Sequence, residues 1–185
     1  VVVVQVGMMM LGVVDTMVVG RYSAGALAAV ALGHVMVIAA SAFGVGVLLA
    51  LDPLVSQAIG AGDEAAARRA VQRGLLLAVA LLVPSLVVLA PVEQLLTLMR
   101  QPPETIPLAA AYSWIQIPGL LPYYAFVVLR QSLQAMQRTR PIVITIVAVN
   151  LFNLVADILL VFGVGPVQEM GPIGSAWATT ASRGL

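Results

Sequence analysis

Long apolar runs separated by short polar connections set the rhythm of the chain. Val1 to Val19 is apolar apart from Gln5 and Asp15, and Ala24 to Leu51 contains no Asp, Glu, Lys or Arg. Gly74 to Val92 and Thr105 to Leu129 are equally free of charge, and Pro141 to Val167 holds one acid, Asp157. A membrane-crossing helix needs about 20 mostly apolar residues. The pattern therefore predicts five spanning helices and the start of a sixth, at residues 1–19, 24–51, 71–92, 105–133, 141–163 and 172–185. They form one unit, 1–185, an all-α helical bundle. The connections at Gly20–Ser23, Gly60–Arg73, Arg100–Pro103, Gln137–Arg140 and Gly163–Gly171 carry the Gly, Pro and polar punctuation of loops. In the second, Asp63 stands at an N-cap position with Glu64 in the first turn, and the segment through Arg73 reads as a short lead-in to the third helix.

Composition turns the helical reading into a membrane reading. Of the 185 residues, 61% are hydrophobic and 9% charged, whereas a soluble domain carries about 25% charged residues. Seventeen charges cannot cover a compact body of this size in water. All nine basic residues are Arg, the net charge is +1 and no basic run exceeds two residues, so no nucleic-acid partner is expected. The chain has no Cys and one His, His34, which excludes thiol chemistry and disfavours a histidine-based metal site or triad. Metalloprotease, hydrolase-elbow, P-loop and dinucleotide-binding motifs are also lacking, so neither enzyme activity nor a cofactor is expected. At Val1 no charged segment precedes the apolar run, and the chain reads as starting inside a helix rather than with a signal peptide.

Arginine placement predicts orientation. The even-numbered connections and the far end of helix six hold Arg68, Arg69, Arg73, Arg138, Arg140 and Arg183, against Arg21 and Arg100 on the opposite side. Six against two puts the start of helix one in the cytoplasm. Arg130 falls within helix four and is left out of the count.

Ionisable groups within apolar runs mark candidate function, because an acid at the centre of a membrane helix costs about 2.5–3.5 kcal/mol on insertion scales. Asn150, Asn153 and Asp157 stand at i, i+3 and i+7 and share one helical face. Two readings compete for that stripe: interhelical hydrogen bonding, at about 0.6 kcal/mol per bond, or a functional site. Asp15 lies within Leu11–Val19 and is either a site residue or hydrated near a helix end. Asp52 precedes Pro53 and reads as an end position. His34 reads as a hydrogen-bonded bundle residue. Pro84, Pro118 and Pro122 are expected to interrupt helices three and four, and Tyr112, Trp114, Tyr123 and Tyr124 to anchor helices at the interface or wall a cavity.

Four patches, in order, resemble the multidrug and toxic compound extrusion (MATE) family. They are Val14-Asp15-Thr16-Met17-Val18-Val19-Gly20-Arg21, followed by Ala26-Leu27-Ala28-Ala29-Val30; Val55-Ser56-Gln57-Ala58-Ile59-Gly60-Ala61-Gly62-Asp63; Leu129-Arg130-Gln131-Ser132-Leu133-Gln134 with Thr139-Arg140-Pro141; and Asn150-Leu151-Phe152-Asn153 with Asp157, then Gly171-Pro172-Ile173-Gly174-Ser175-Ala176-Trp177-Ala178-Thr179. The resemblance implies the first, N-terminal six-helix lobe of a twelve-helix transporter, truncated at both ends, whose partner is the second lobe of the same protein. It implies a multi-pass protein of the bacterial inner (plasma) membrane that exports organic cations or amphipathic drugs by antiport against H⁺ or Na⁺. It carries the cation-coupling role to Asp15, Asn153 and Asp157, with Asn150 on the same face and Thr179 from helix six, and assigns Gln57 to the cavity lining. A hard cation such as Na⁺ would be held at Asp15, Asn153 and Asp157. A lipid-precursor flippase of related fold, a passive channel and a non-transporting structural fragment are the alternatives.

Overall fold

The computed structural model describes residues 2–164 and 168–185, without the side chains of residues 2, 3 and 5. Val1 and the 165–167 part of the expected fifth connection lie outside the described residues. The described residues are helical apart from short connections, with no strand among them. Its α-helices are α1 (Val2–Tyr22), α2 (Ala24–Leu48), α3 (Leu51–Gly60), α4 (Glu64–Ala80), α5 (Leu82–Leu89), α6 (Val92–Leu98), α7 (Ile106–Ile115), α8 (Leu120–Ala135), α9 (Arg140–Phe162) and α10 (Pro172–Arg183), with a 3-10 turn at Ile117–Gly119.

Proline explains most of the subdivision. A proline ring blocks the hydrogen bond to the carbonyl four residues earlier and clashes with it. Pro53 and Pro84 each stand three residues after a break, at Ala50 and Leu81, and Pro118 stands two residues after one, at Gln116. The helices on either side of the first two breaks continue as one rod, α2 with α3 and α4 with α5, whereas a 3-10 turn separates α7 from α8. Pro122 breaks nothing; it sits in the first turn of α8, where its missing N–H has no partner to lose.

Two expected boundaries change. Helix two runs to Gly60 rather than ending at 51, and helix three begins at Glu64 rather than 71. Gln and Arg are good helix formers, so Gln57, Arg68 and Arg69 extend the rods past their apolar stretches, and Asp52 sits in the first turn of α3, where an acid suits the helix dipole. The connection shrinks to a tight turn in which Gly62 takes φ +72° and the Asp63 N–H donates to the Ala58 carbonyl at 2.9 Å. Asp63 caps α4 as expected, its Oδ1 accepting from the Ala66 N–H at 2.7 Å. Ser23 caps α2 in the same way.

Among the described residues three rods are long and apolar enough to cross a membrane: Ala24–Gly60, Glu64–Leu89 and Arg140–Phe162, with mean hydropathies of 2.2, 2.0 and 2.3. Their outward faces are apolar too. Phe43, Leu76, Ile144, Val147 and Leu151 are all exposed, an arrangement that water penalises and lipid does not.

α2 is the central element. It packs against α1, α5, α7 and α8, and its buried face holds Ala29, Met36, Val37 and Ala40 against Leu89, Val92 and Leu120. Tyr124 on α8 ties three helices together: its hydroxyl pairs with the Ser85 Oγ at 2.6 Å on α5 and lies 3.4 Å from the Ser41 carbonyl on α2. On the other flank, α1, α9 and α10 pack side by side. Gly174 lets α10 come so close to α9 that a Cβ there would stand 2.6 Å from the Leu160 carbonyl oxygen.

A buried carboxyl pair between α1, α9 and α10

The flank built from α1, α9 and α10 holds the most polar part of the interior. Asp15 on α1 is 2% exposed, and Asn153, Asp157, Ser175 and Thr179 are fully buried. Asn153 and Asp157 lie one turn apart on the inner face of α9, and Ser175 and Thr179 one turn apart on α10. Three helical faces converge because small residues permit it: Gly174 at α9, and Gly7 on α1, where an added Cβ would collide with Ile146 of α9.

Thr179 donates its hydroxyl hydrogen to Asp15 Oδ2 at 2.7 Å. The Asp15 and Asp157 carboxyls adjoin each other. That contact closes only when one of the two carries a proton, since two carboxylates are both acceptors. The Asn153 amide adjoins Asp15, and the Ser175 hydroxyl adjoins Asp157. Even so, Asp15 Oδ1, both Asp157 oxygens, both Asn153 amide atoms and Ser175 Oγ are sealed from solvent without a settled hydrogen-bond partner. Unmet buried polar groups at this density are expensive, and a proton or small cation among them would relieve the cost.

Of the residues singled out from sequence, Asp15, Asn153, Asp157 and Thr179 come together. Asn150 shares their α9 face but lies two turns from Asp157, and its Nδ2 donates to the Gly7 carbonyl of α1 at 2.9 Å and to the Ile146 carbonyl at 2.8 Å. Gln57 is exposed on α3 and stands apart from the cluster. Asp52 is likewise exposed. Among the described residues no group of three His, Cys, Asp or Glu side chains forms, so any ion held here would rest on two carboxyls supplemented by amide and hydroxyl oxygens.

One participant was missed from sequence. Ser175 precedes Thr179 by four residues, a same-face spacing that would have exposed it. Tyr112, read from sequence as an interface anchor or a cavity wall, is fully buried on α7 and takes the second role; among the described residues its hydroxyl has no hydrogen-bond partner. Arg130 lies inside α8 and is buried, its Nη1 3.2 Å from Met8 Sδ.

An all-helical, lipid-exposed bundle with an acidic pair sealed between three helices defines a polytopic membrane protein with a polar interior site. The MatE family model matches residues 1–159, and the chain belongs to that family. NorM of Bradyrhizobium diazoefficiens is 32% identical over 176 residues, which are 95% of this chain and 38% of that protein. The multidrug resistance protein MdtK of Pectobacterium atrosepticum is 32% identical over 182 residues, 98% of this chain and 40% of that protein. Among solved structures, the eukaryotic MATE transporter AtDTX14 superposes with a TM-score of 0.88 at 25% identity, over 98% of this chain and 40% of its own. The chain thus spans about 40% of the length of the relatives it matches.

Proposed function

We propose that this chain supplies the ion-coupling half of a secondary multidrug exporter, an antiporter that moves organic cations or amphipathic drugs outward against inward H⁺ or Na⁺. The observation that carries the reading is the sealed contact between Asp15 and Asp157. Two carboxylates that close in a low-dielectric interior repel strongly, so the pair binds a compensating positive charge and titrates as one unit. H⁺ bridges the carboxyls directly. Na⁺ would draw on Asp15, Asn153 and Asp157, with the Thr179 hydroxyl beside them. Loading alters the attraction between α1 and α9 and the bond from α10, and the proline-broken rods supply joints at which that change becomes movement.

In this reading the Arg68, Arg69 and Arg73 side of the bundle faces the cytoplasm, the second lobe closes the substrate cleft, and Gln57 lies at its margin outside the coupling site. The test is drug export by the full-length protein carrying Asp15→Asn or Asp157→Asn. Both variants insert normally and export nothing; undiminished export by either contradicts the assignment.

Buried Arg130 on α8, and Arg183 of α10 over the Tyr123 ring at 5.3 Å, favour a second reading in which the cargo is an anionic lipid precursor. Export of anionic rather than cationic probes would select it.

A further inference from the structure

His34 occupies a position that the carboxyl-pair reading leaves unused. α2 lies between α1 and α7, and residues 33 and 34 face one neighbour each. Gly33 is pressed against Ala109 and Tyr112 of α7, whereas the His34 ring lies against Gly12 of α1, where an added Cβ would stand 3.5 Å from Nε2 and 3.8 Å from Cε1. Gly12 precedes Asp15 by three residues, so the imidazole stands one helical turn from the buried carboxyl on the same side of α1.

The exposures differ in a useful way. Asp15 is 2% exposed, Asp157 is fully buried and His34 is half-buried. Among the described residues, neither ring nitrogen is sealed away and no hydrogen bond to a protein group acts on the ring. A histidine that only held helices together would use a nitrogen on a neighbouring carbonyl. On the facing turn of α1 the Gly12 carbonyl accepts from the Thr16 hydroxyl at 2.7 Å.

We propose that His34 is the proton entry to the Asp15–Asp157 pair. Resting on the antiport reading above, this makes H⁺ the coupling ion. One ring nitrogen takes a proton from water; the imidazolium releases a proton from its other nitrogen to the Asp15 carboxylate, directly or through one water. The ring ends neutral, as it began, and the net change is one proton moved from solvent to the pair. Unloading runs the same steps backwards. The charged groups near the ring are Asp15 on α1, the acceptor for the proton, and Arg183 on α10; Tyr112 on α7 stands beside Asp15. Imidazole suits the task because it exchanges protons between pH 5 and 8.

The experiment uses the full-length protein in lightly buffered proteoliposomes, with ethidium as cargo and a pH-sensitive dye reporting proton release. Wild type, His34→Gln, His34→Asn and Asp15→Asn are compared across pH 5 to 8.5, with and without added imidazole, and ethidium binding by each variant is measured alongside. Both His34 variants bind ethidium, release protons about tenfold more slowly or worse, lose the inflection in the histidine range, and recover when imidazole is added. Unchanged rates and pH profile, a slow rate that imidazole does not restore, loss of ethidium binding in both variants, or sodium-driven efflux indifferent to pH in wild type would each overturn the proposal. Asp15→Asn separates the two readings. If it is silent while the His34 variants behave as wild type, only the entry role falls; if it exports at full rate, the carboxyl-pair antiport falls with it.

Discussion

Thr179 on α10 and Asp15 on α1 stand 164 positions apart in sequence and share a 2.7 Å hydrogen bond in the sealed interior. The bond fixes the rotation of both helices, because each side chain is buried and neither has water as a substitute. Replacing Thr179 with Val keeps the volume and removes the donor, leaving Asp15 Oδ2 unpaired. Thr179→Val is expected to cost about 1–3 kcal/mol of stability, read as a lower melting temperature in detergent, while Thr179→Ser stays near wild type.

Gly174 sets how closely α10 approaches α9. Since a Cβ would stand 2.6 Å from both the Leu160 carbonyl carbon and oxygen, and backbone cannot step aside, Gly174→Ala forces the helices apart. The expected loss is about 1–3 kcal/mol. Export falls with it, because Ser175 and Thr179 ride on the displaced helix. Thermal unfolding and drug efflux measured on the same preparation check both parts.

Asn150 and Asn153 share a helix face but meet different surroundings. Asn150 clasps the Gly7 carbonyl, an interhelical bond worth about 0.6 kcal/mol in a membrane protein, while Asn153 adjoins the carboxyl pair. Asn150→Ala therefore lowers stability slightly and leaves efflux largely intact, whereas Asn153→Ala impairs efflux. Resistance of cells to a cationic dye, normalised to the amount of protein in the membrane, separates the two.

The sequence was informative where chemistry and geometry coincide. Asp15, Asn153 and Asp157 stood out because an acid or amide in an apolar run carries a cost that needs a reason, and the i, i+4 spacing put the last two on one side of α9. The cap at Asp63 was legible for a similar reason, since a short acidic side chain before a helix has one good use. Boundaries were less legible. Helicity depends on backbone propensity, which Gln57 and Arg68 satisfy as well as Leu does, so an absence of charge marked where the rods are apolar rather than where they end. Ser175 escaped notice because hydroxyls are common in membrane helices, and Tyr112 stood open between interface anchor and cavity wall because only tertiary packing decides between them. Pro122 looked like a breaker and is not one, because its effect depends on whether a turn already precedes it.

The central claim, that the carboxyls of Asp15 and Asp157 meet in one buried pocket, has a direct test. These 185 residues contain no cysteine, which leaves a clean background within them for Asp15→Cys combined with Asp157→Cys. Mercuric ion, which bridges two thiolates only at close range, is applied to the double variant in membranes, and proteolysis between α1 and α9 is followed by separation of the fragments. The account predicts that the two fragments stay joined in the double variant and in neither single variant. Fragments that part freely in all three, with one mercuric ion bound at each single-cysteine site, would contradict it.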